Sequence, residues 1–334
     1  MARLFPKPLD NYPVLDLEDT DLELPEHVVN KTMRYTHFKT IAKGGKCIIQ
    51  SCKDYHLSRI VAYKSLRKEI ADDPFEQRRF LREARVTAML QHPNTIPIYE
   101  LSRNNRRHYY FTMKLVEGYT LEELIGTSVK DGSGASDGYG FHRMVTILIQ
   151  VGNALDYAHS HGVVHRDVKP ANILMGPFGE VLLLDWGLAK VWGAEADTEA
   201  EEVSERPLLA GFDPSLTAQG RLQGTALYMS PEQISGSPDL DHRSDVYSLG
   251  VVLYEILAGR QMLQGETLDA LLNQAQYELP PRPSEIADDR QIPPDLEDIC
   301  MRCIQKDPND RIQTARQLVS AWRAWRIRWA ANSH

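Results

Sequence analysis

From Tyr35 onward the chain changes hydrophobic period partway along its length. The stretches KTIAKGGKCIIQSCKD and SRIVAYKSL alternate apolar and polar positions around a glycine turn, which predicts β-strands. Asp73-Pro74 then opens a helix, with Asp as N-cap and Pro in the first turn. Phe80, Ala84, Met89 and Leu90 supply its apolar face, and His92-Pro93 ends it. Two more strands are expected around 96–101 and 108–115. Past Glu117-Gly118 the period becomes helical, with a long helix expected over 141–160. From Ser244 onward helical patterns alternate with Pro-rich connections. A small β-rich part followed by a larger helical part predicts an α+β fold of two lobes.

The boundaries follow composition. Residues 1–34 are rich in Asp, Glu and Pro without sustained period and read as an extension, 35–116 as the β-rich lobe and 117–330 as the helical one. The Gly/Ser/Asp-rich stretch 128–140 and the acidic stretch 194–205 read as loops. Hydrophobic residues make up 42% of the chain and charged residues 25%, which suits a globular protein. The net charge of -8 argues against a nucleic-acid partner, which calls for a basic footprint. Four cysteines in 334 residues suggest a reducing compartment. With no signal-like or membrane-spanning apolar run, the expected location is cytoplasmic.

The densest chemistry lies in His165-Arg166-Asp167-Val168-Lys169-Pro170-Ala171-Asn172. Asp167 can orient a hydroxyl and accept its proton, Lys169 can neutralise a phosphate oxygen, and Asn172 can hold a metal through its amide oxygen. Leu184-Asp185-Trp186-Gly187 follows the apolar run VLLL. A carboxylate at the end of a buried strand is costly unless a cation or partner meets it.

Together these residues resemble the catalytic loop and metal-binding segment of eukaryotic-like (bacterial-type) serine/threonine protein kinases, with Trp186 in place of the usual Phe. The resemblance spans roughly 35–325 in the family's order. Val61-Ala62-Tyr63-Lys64 is similar to the strand carrying the phosphate-binding lysine, and Glu83 lies where its acidic partner belongs. Gly224-Thr225 through Ser230-Pro231-Glu232 resembles the end of the activation segment. Asp245 stands where the family braces the catalytic loop, and Arg311 where it pairs with the acid at Glu232.

The resemblance implies transfer of the ATP γ-phosphoryl group to protein Ser/Thr hydroxyls, with ATP and Mg2+ or Mn2+ as cofactors. Asp167 would be the base, Lys169 would touch the γ-phosphate, and Asp185 with Asn172 would bind the metal. Met113 falls at the gatekeeper position, Lys114, Leu115 and Val116 at the hinge, and Ile41, Ile49, Ala62 and Leu174 around the adenine. Lys169 and Thr225 place the chain on the serine/threonine branch. Arg166 would meet a phosphate on the activation segment. Thr217 is the first candidate to carry it, with Thr198, Ser204, Ser215 and Thr225 also present.

The glycine-rich loop departs from the family. It reads Ala42-Lys43-Gly44-Gly45-Lys46-Cys47-Ile48-Ile49, with Ala and Cys at the first and third glycine positions. Each added Cβ would cost about 1 kcal/mol if the backbone there is left-handed. Lys43 and Lys46 could offset this by adding positive charge near the phosphates. The rival readings are a pseudokinase scaffold that binds nucleotide or partners without catalysis, and a small-molecule phosphotransferase. The second fits poorly with Thr225 and Ser230-Pro231-Glu232, which resemble a protein-substrate platform.

Cys300-Met301-Arg302-Cys303 invites a metal or redox reading, but its helical context predicts buried structural cysteines. Trp322, Trp325 and Trp329 share a helical face beside arginines. A last helix packed on the large lobe is the expectation. A membrane-interfacial or partner-binding helix leading onward in a longer chain is the alternative. No motif speaks to oligomeric state.

Overall fold

The computed structural model describes residues 34–130, 138–191, 221–265 and 267–332. Two compact units divide the chain: one holds the residues up to Met89 together with Ile96–Gly118, the other Leu90–Thr95 and everything from Tyr119.

The first unit is a five-stranded antiparallel sheet with one helix. Strands β1 (Tyr35–Lys43), β2 (Cys47–Asp54), β3 (Arg59–Leu66), β4 (Ile98–Arg103) and β5 (Tyr109–Met113) lie in the order β1-β2-β3-β5-β4. Alternation along β3 sorts its side chains. Val61 and Tyr63 join Cys52 and Tyr110 on one face, where the Tyr63 and Tyr110 rings stack at 4.5 Å. On the other, Leu66 packs with Phe80, Ala84 and Phe111 beneath helix α1 (Pro74–Met89). Asp73 caps that helix as expected: its Oδ1 accepts from the Phe75 amide at 2.8 Å. Leu90 is buried, but Met89 is 64% exposed. The helix ends at Met89, and Val86 and Thr87 fill the buried face instead.

The second unit is built around α6 (Arg243–Ala258). Every residue of it from Ser244 to Ala258 except Glu255 is buried, as suits a helix with neighbours on all sides. Before it come β6 (Tyr119–Thr120), α2 (Leu121–Lys130), α3 (Gly138–Ser160), β7 (Val163–Val164), β8 (Ile173–Met175), β9 (Val181–Leu183), β10 (Lys190–Val191), α4 (Arg221–Ala226) and α5 (Pro231–Ile234). After it come α7 (Leu268–Tyr277), α8 (Pro283–Ile286), α9 (Pro294–Cys303) and α10 (Ala315–Asn332). Within the stretch 128–140 expected as loop, the described residues are helical, since α2 reaches Lys130 and α3 starts at Gly138, and 131–137 lie outside the described residues.

Gly259 ends α6 at φ 68°, and a Cβ there would sit 2.7 Å from the Arg290 guanidinium carbon. That guanidinium donates to the carbonyls of Ile256 and Leu257 at 2.7 and 3.0 Å, satisfying the helix end. Gly250 lets α9 approach closely: a Cβ on it would lie 2.4 Å from Cys303 Cβ. Cys300 and Cys303 are fully buried in this contact, and all four cysteines are free thiols. Burial pushes the Cys303 thiol up to about 12, which removes the thiolate that metal or redox chemistry needs.

Trp322 and Trp325 are likewise buried, with Gly152 of α3 making room for Val319 and Trp322. The last helix thus packs on the second unit. No helix among the described residues is long and apolar enough to cross a membrane.

Candidate active site

In the first unit, β3 presents Lys64 and α1 presents Glu83, and the Lys64 ammonium reaches Glu83 Oε1 at 2.5 Å. Both side chains are nearly buried, at 13% and 12% exposure, where an ion pair is less screened than at the surface. Ala62 is buried, Ile49 and Met113 are half-buried, and Ile41 is 52% exposed. Ile41 is therefore no core residue. The Lys114 amide donates to Pro97 O at 3.1 Å, and Leu115 and Val116 are half-buried in the connection that follows.

The glycine turn lies between β1 and β2. Ala42 faces Ile49 and Lys43 faces Ile48 in the strand register, and the Gly44 amide donates to Cys47 O at 2.8 Å. No residue from Ala42 to Cys47 has a positive φ. The strain anticipated at Ala42 and Cys47 is absent, because both sit in strand backbone that any residue adopts. Lys43, Gly44 and Gly45 are exposed. Lys46, expected to add charge beside phosphates, instead reaches Glu76 Oε1 at 2.5 Å.

The second unit holds the catalytic-loop residues. Between β7 and β8 the chain makes a single 3-10 turn, Pro170–Asn172. Lys169 Nζ donates to both Asp167 oxygens at 2.9 and 2.8 Å and to Thr225 Oγ1 at 2.9 Å, so one ammonium joins a carboxylate to a hydroxyl. Asn172 Nδ2 donates to Asp167 O at 2.8 Å and Asp167 Oδ2 at 3.0 Å. Burial raises the Asp167 carboxyl above its ordinary range; Lys169 pulls it back and the like charge of Asp185 pushes it further up. A raised value makes Asp167 a stronger proton acceptor than a solvated aspartate.

The loop is held from α6, where the family resemblance expects its brace, and by further groups that no motif reveals. Asp245, fully buried on α6, accepts from the amides of His165 at 2.9 Å and Arg166 at 2.8 Å, and from His159 Nε2 at 2.8 Å. Burial alone would raise its carboxyl; the His159 hydrogen bond and the other donors outweigh that, and the net shift is downward. Arg166 has φ 69°, a left-handed conformation costing about 1–3 kcal/mol that these bonds sustain. The Asp167 amide donates to His165 Nδ1 at 3.1 Å, which leaves the ring proton on Nε2 to donate to Leu184 O at 3.0 Å. His165 thereby links the catalytic loop to the strand that delivers Asp185. The buried Trp186 indole packs edge-on to the same ring at 4.5 Å.

Gln233 adds another brace: it donates to Arg166 O at 2.8 Å while its Oε1 accepts from the Ser230 amide and hydroxyl, both at 3.1 Å. Ser230 in place of Ala thus has a hydrogen-bonding task. Glu232 and Arg311 form a bidentate pair, both contacts 2.7 Å, with the Arg311 side chain fully buried. Asp185 is exposed at φ 65°, and Leu174 is half-buried on β8. Thr217, Thr198, Ser204, Ser215 and the acidic stretch lie outside the described residues.

The oxygen donors suit a hard divalent cation. Both Asn172 amide protons go to Asp167, which turns the amide oxygen away as its ligating atom. The effect of Asp185 on Asp167 shows its charge to be close by. One carboxylate and one amide are too few ligands alone, but Mg2+ ordinarily completes its shell with water and phosphate oxygens.

A sheet-bound lysine paired to a helix glutamate, and an aspartate–lysine–asparagine loop anchored on a buried helix, define a phosphotransferase of the protein-kinase type. The protein kinase domain model matches residues 35–322, and the chain belongs to that family. It is 36% identical over 295 residues to the serine/threonine-protein kinase PknD of Protochlamydia amoebophila (strain UWE25), which covers 85% of this chain and 29% of that protein. The PknD of Chlamydia pneumoniae is 35% identical, with 85% and 30% covered. The serine/threonine-protein kinase PknB of Mycolicibacterium smegmatis (strain ATCC 700084 / mc(2)155) is 36% identical, with 88% and 43% covered. The chain therefore spans less than half the length of each of these relatives.

Proposed function

We propose that this chain transfers the γ-phosphoryl group of ATP to serine and threonine hydroxyls of proteins, itself included. One observation carries the reading: the buried Asp167 carboxylate, raised in basicity, is joined through Lys169 to the Thr225 hydroxyl. Phosphoryl transfer needs alignment and charge neutralisation more than covalent chemistry. Asp167 accepts the proton of the incoming hydroxyl while Lys169 balances charge on the transferred group. Lys64, steadied by Glu83, holds the α- and β-phosphates. The adenine would lie against Ile41, Ile49 and Ala62 of the first unit, with backbone groups of 114–116 binding its edge. Asp185 and the Asn172 amide oxygen would hold Mg2+ or Mn2+, which would supply positive charge to the phosphates.

The scaffold alternative drew its force from Ala42 and Cys47, and neither carries the backbone strain it requires. Regulation by a phosphate at Thr217 meeting Arg166, and a cytoplasmic location for this part of the chain, belong to the same proposal. Incubation with labelled ATP and Mg2+ or Mn2+, followed by mass-spectrometric mapping, tests it. Label on serine and threonine with the natural sequence and none with Asp167→Asn is the expected result. No label on the chain or on a general protein acceptor would overturn it.

A further inference from the structure

The first unit contains a second lysine–glutamate pair on the helix that carries Glu83. Lys46 Nζ meets Glu76 Oε1 at 2.5 Å, with Glu76 at 13% and Lys46 at 37% exposure. Glu76 and Glu83 are one heptad apart on α1, so they share a face to within about 20° and stand about 10 Å apart along the axis. Lys64 comes from β3 and Lys46 from the turn that leads into the neighbouring strand β2. Lys46 immediately precedes Cys47, which pairs with Leu66, two residues along β3 from Lys64. Leu66, Phe80 and Ala84 pack together in the same unit, with Cys47 against them. The helix is thus fastened to the sheet by an ionic contact near its first turn, another at mid-length, and apolar packing.

The Lys46 anchor is itself fixed. Its carbonyl accepts from the Arg67 amide at 2.8 Å, and Gly44 N–H closes the turn onto Cys47 O at 2.8 Å. A helix held by the Glu83 contact alone could rotate or swing about it. A second contact a heptad away removes that freedom.

We propose that Lys46–Glu76 is a positioning pair: it holds α1 in the rotation at which Glu83 meets Lys64, and ties the glycine turn to the same helix. Lys46 acts through Glu76 and α1 and has no contact with substrate. Loosening the turn loosens the helix, and the reverse. The catalytic consequence rests on the kinase reading above; the mechanical one does not.

Three variants of the 334-residue chain test this: Glu76→Gln, Lys46→Gln, and the exchange of Lys46→Glu with Glu76→Lys. Either single variant is expected to lower kcat/KM for ATP about tenfold, and the exchange to recover it to within threefold. Charge exchange separates a specific pairing from general loss of structure. Amide hydrogen exchange over 44–48 and 74–83 should quicken about tenfold in each single variant and return in the exchanged one. That readout needs no catalysis: if the natural chain transfers no more phosphate than Asp167→Asn, the kinase reading fails while exchange rates still judge the pair. Should Glu76→Gln fail to fold, Lys46→Gln at the turn gives the same comparison. Single variants within twofold of the natural chain in exchange rate, or an exchanged variant as impaired as the singles, would overturn the proposal.

Discussion

Replacing Asp245 by asparagine isolates the brace beneath the catalytic loop. The carboxylate accepts three hydrogen bonds: Oδ2 from His165 N and His159 Nε2, Oδ1 from Arg166 N. Asparagine keeps the shape but has one acceptor oxygen. Turned toward Arg166, it sets its own N–H groups against the His165 amide and the His159 ring; turned the other way, it abandons the Arg166 amide. Each buried donor left unpaired costs about 1–3 kcal/mol. The better orientation therefore loses about 1–3 kcal/mol at neutral pH, a sizeable part of a typical 5–15 kcal/mol total. Urea denaturation, reading midpoint and slope together, measures it. The pH dependence adds a second check. The folded carboxyl lies below its unfolded value, so its contribution is complete above about pH 4–5 and is lost as pH falls through the folded value. The gap between natural chain and variant should be flat from about pH 8 to 5 and narrow on further acidification. A gap under about 1 kcal/mol at neutral pH, or one that widens in acid, would refute the account of Asp245 as a charged acceptor of three donors.

Other perturbations follow from the same geometry. Lys169→Met removes the cation that most lowers the Asp167 carboxyl, so the acid limb of residual kcat/KM should move to higher pH; an unmoved limb would show that Asp167 is not the titrating group. Arg311→Met strands the Glu232 carboxylate and should cost about 3 kcal/mol in chemical denaturation, with a loss below 1 counting against a buried pair. Ala42→Gly and Cys47→Gly should change KM for ATP less than twofold, since neither position has positive φ; a fivefold improvement would show the loop needs a conformation these residues resist.

Local chemistry is readable from the residues themselves, while the non-local pairs Lys64–Glu83 and Glu232–Arg311 and the Asp245 brace are reached only through the family resemblance. Asp167, Lys169 and Asn172 sit on one short loop whose spacing dictates their proximity, and the helix start at Asp73 is legible from its cap, whereas Glu83 is singled out only by the family resemblance. Met89 falls on the expected apolar face, yet it is the last residue of the helix and is exposed, while Leu90, just past the helix end, is buried; periodicity carries no signal for where a helix stops. The burden placed on Ala42 and Cys47 was borrowed from a family pattern, whereas their actual backbone is ordinary strand. Gln233, His159 and Glu76 escaped notice for a common reason. Each works through a partner dozens of positions away: Arg166, Asp245 and Lys46. Only the packed structure makes such pairs adjacent.

The close seam between Gly250 and Cys303 has a practical consequence. A thiol reagent cannot reach Cys300 or Cys303 while α6 and α9 are in contact, and Cys52 is similarly enclosed beside Val61 in the sheet. Alkylation at these positions therefore times transient opening, with Cys52 reporting for one half of the chain and the other two for the second. Comparing their labelling rates would reveal, without any introduced probe, whether the halves come apart together or in turn.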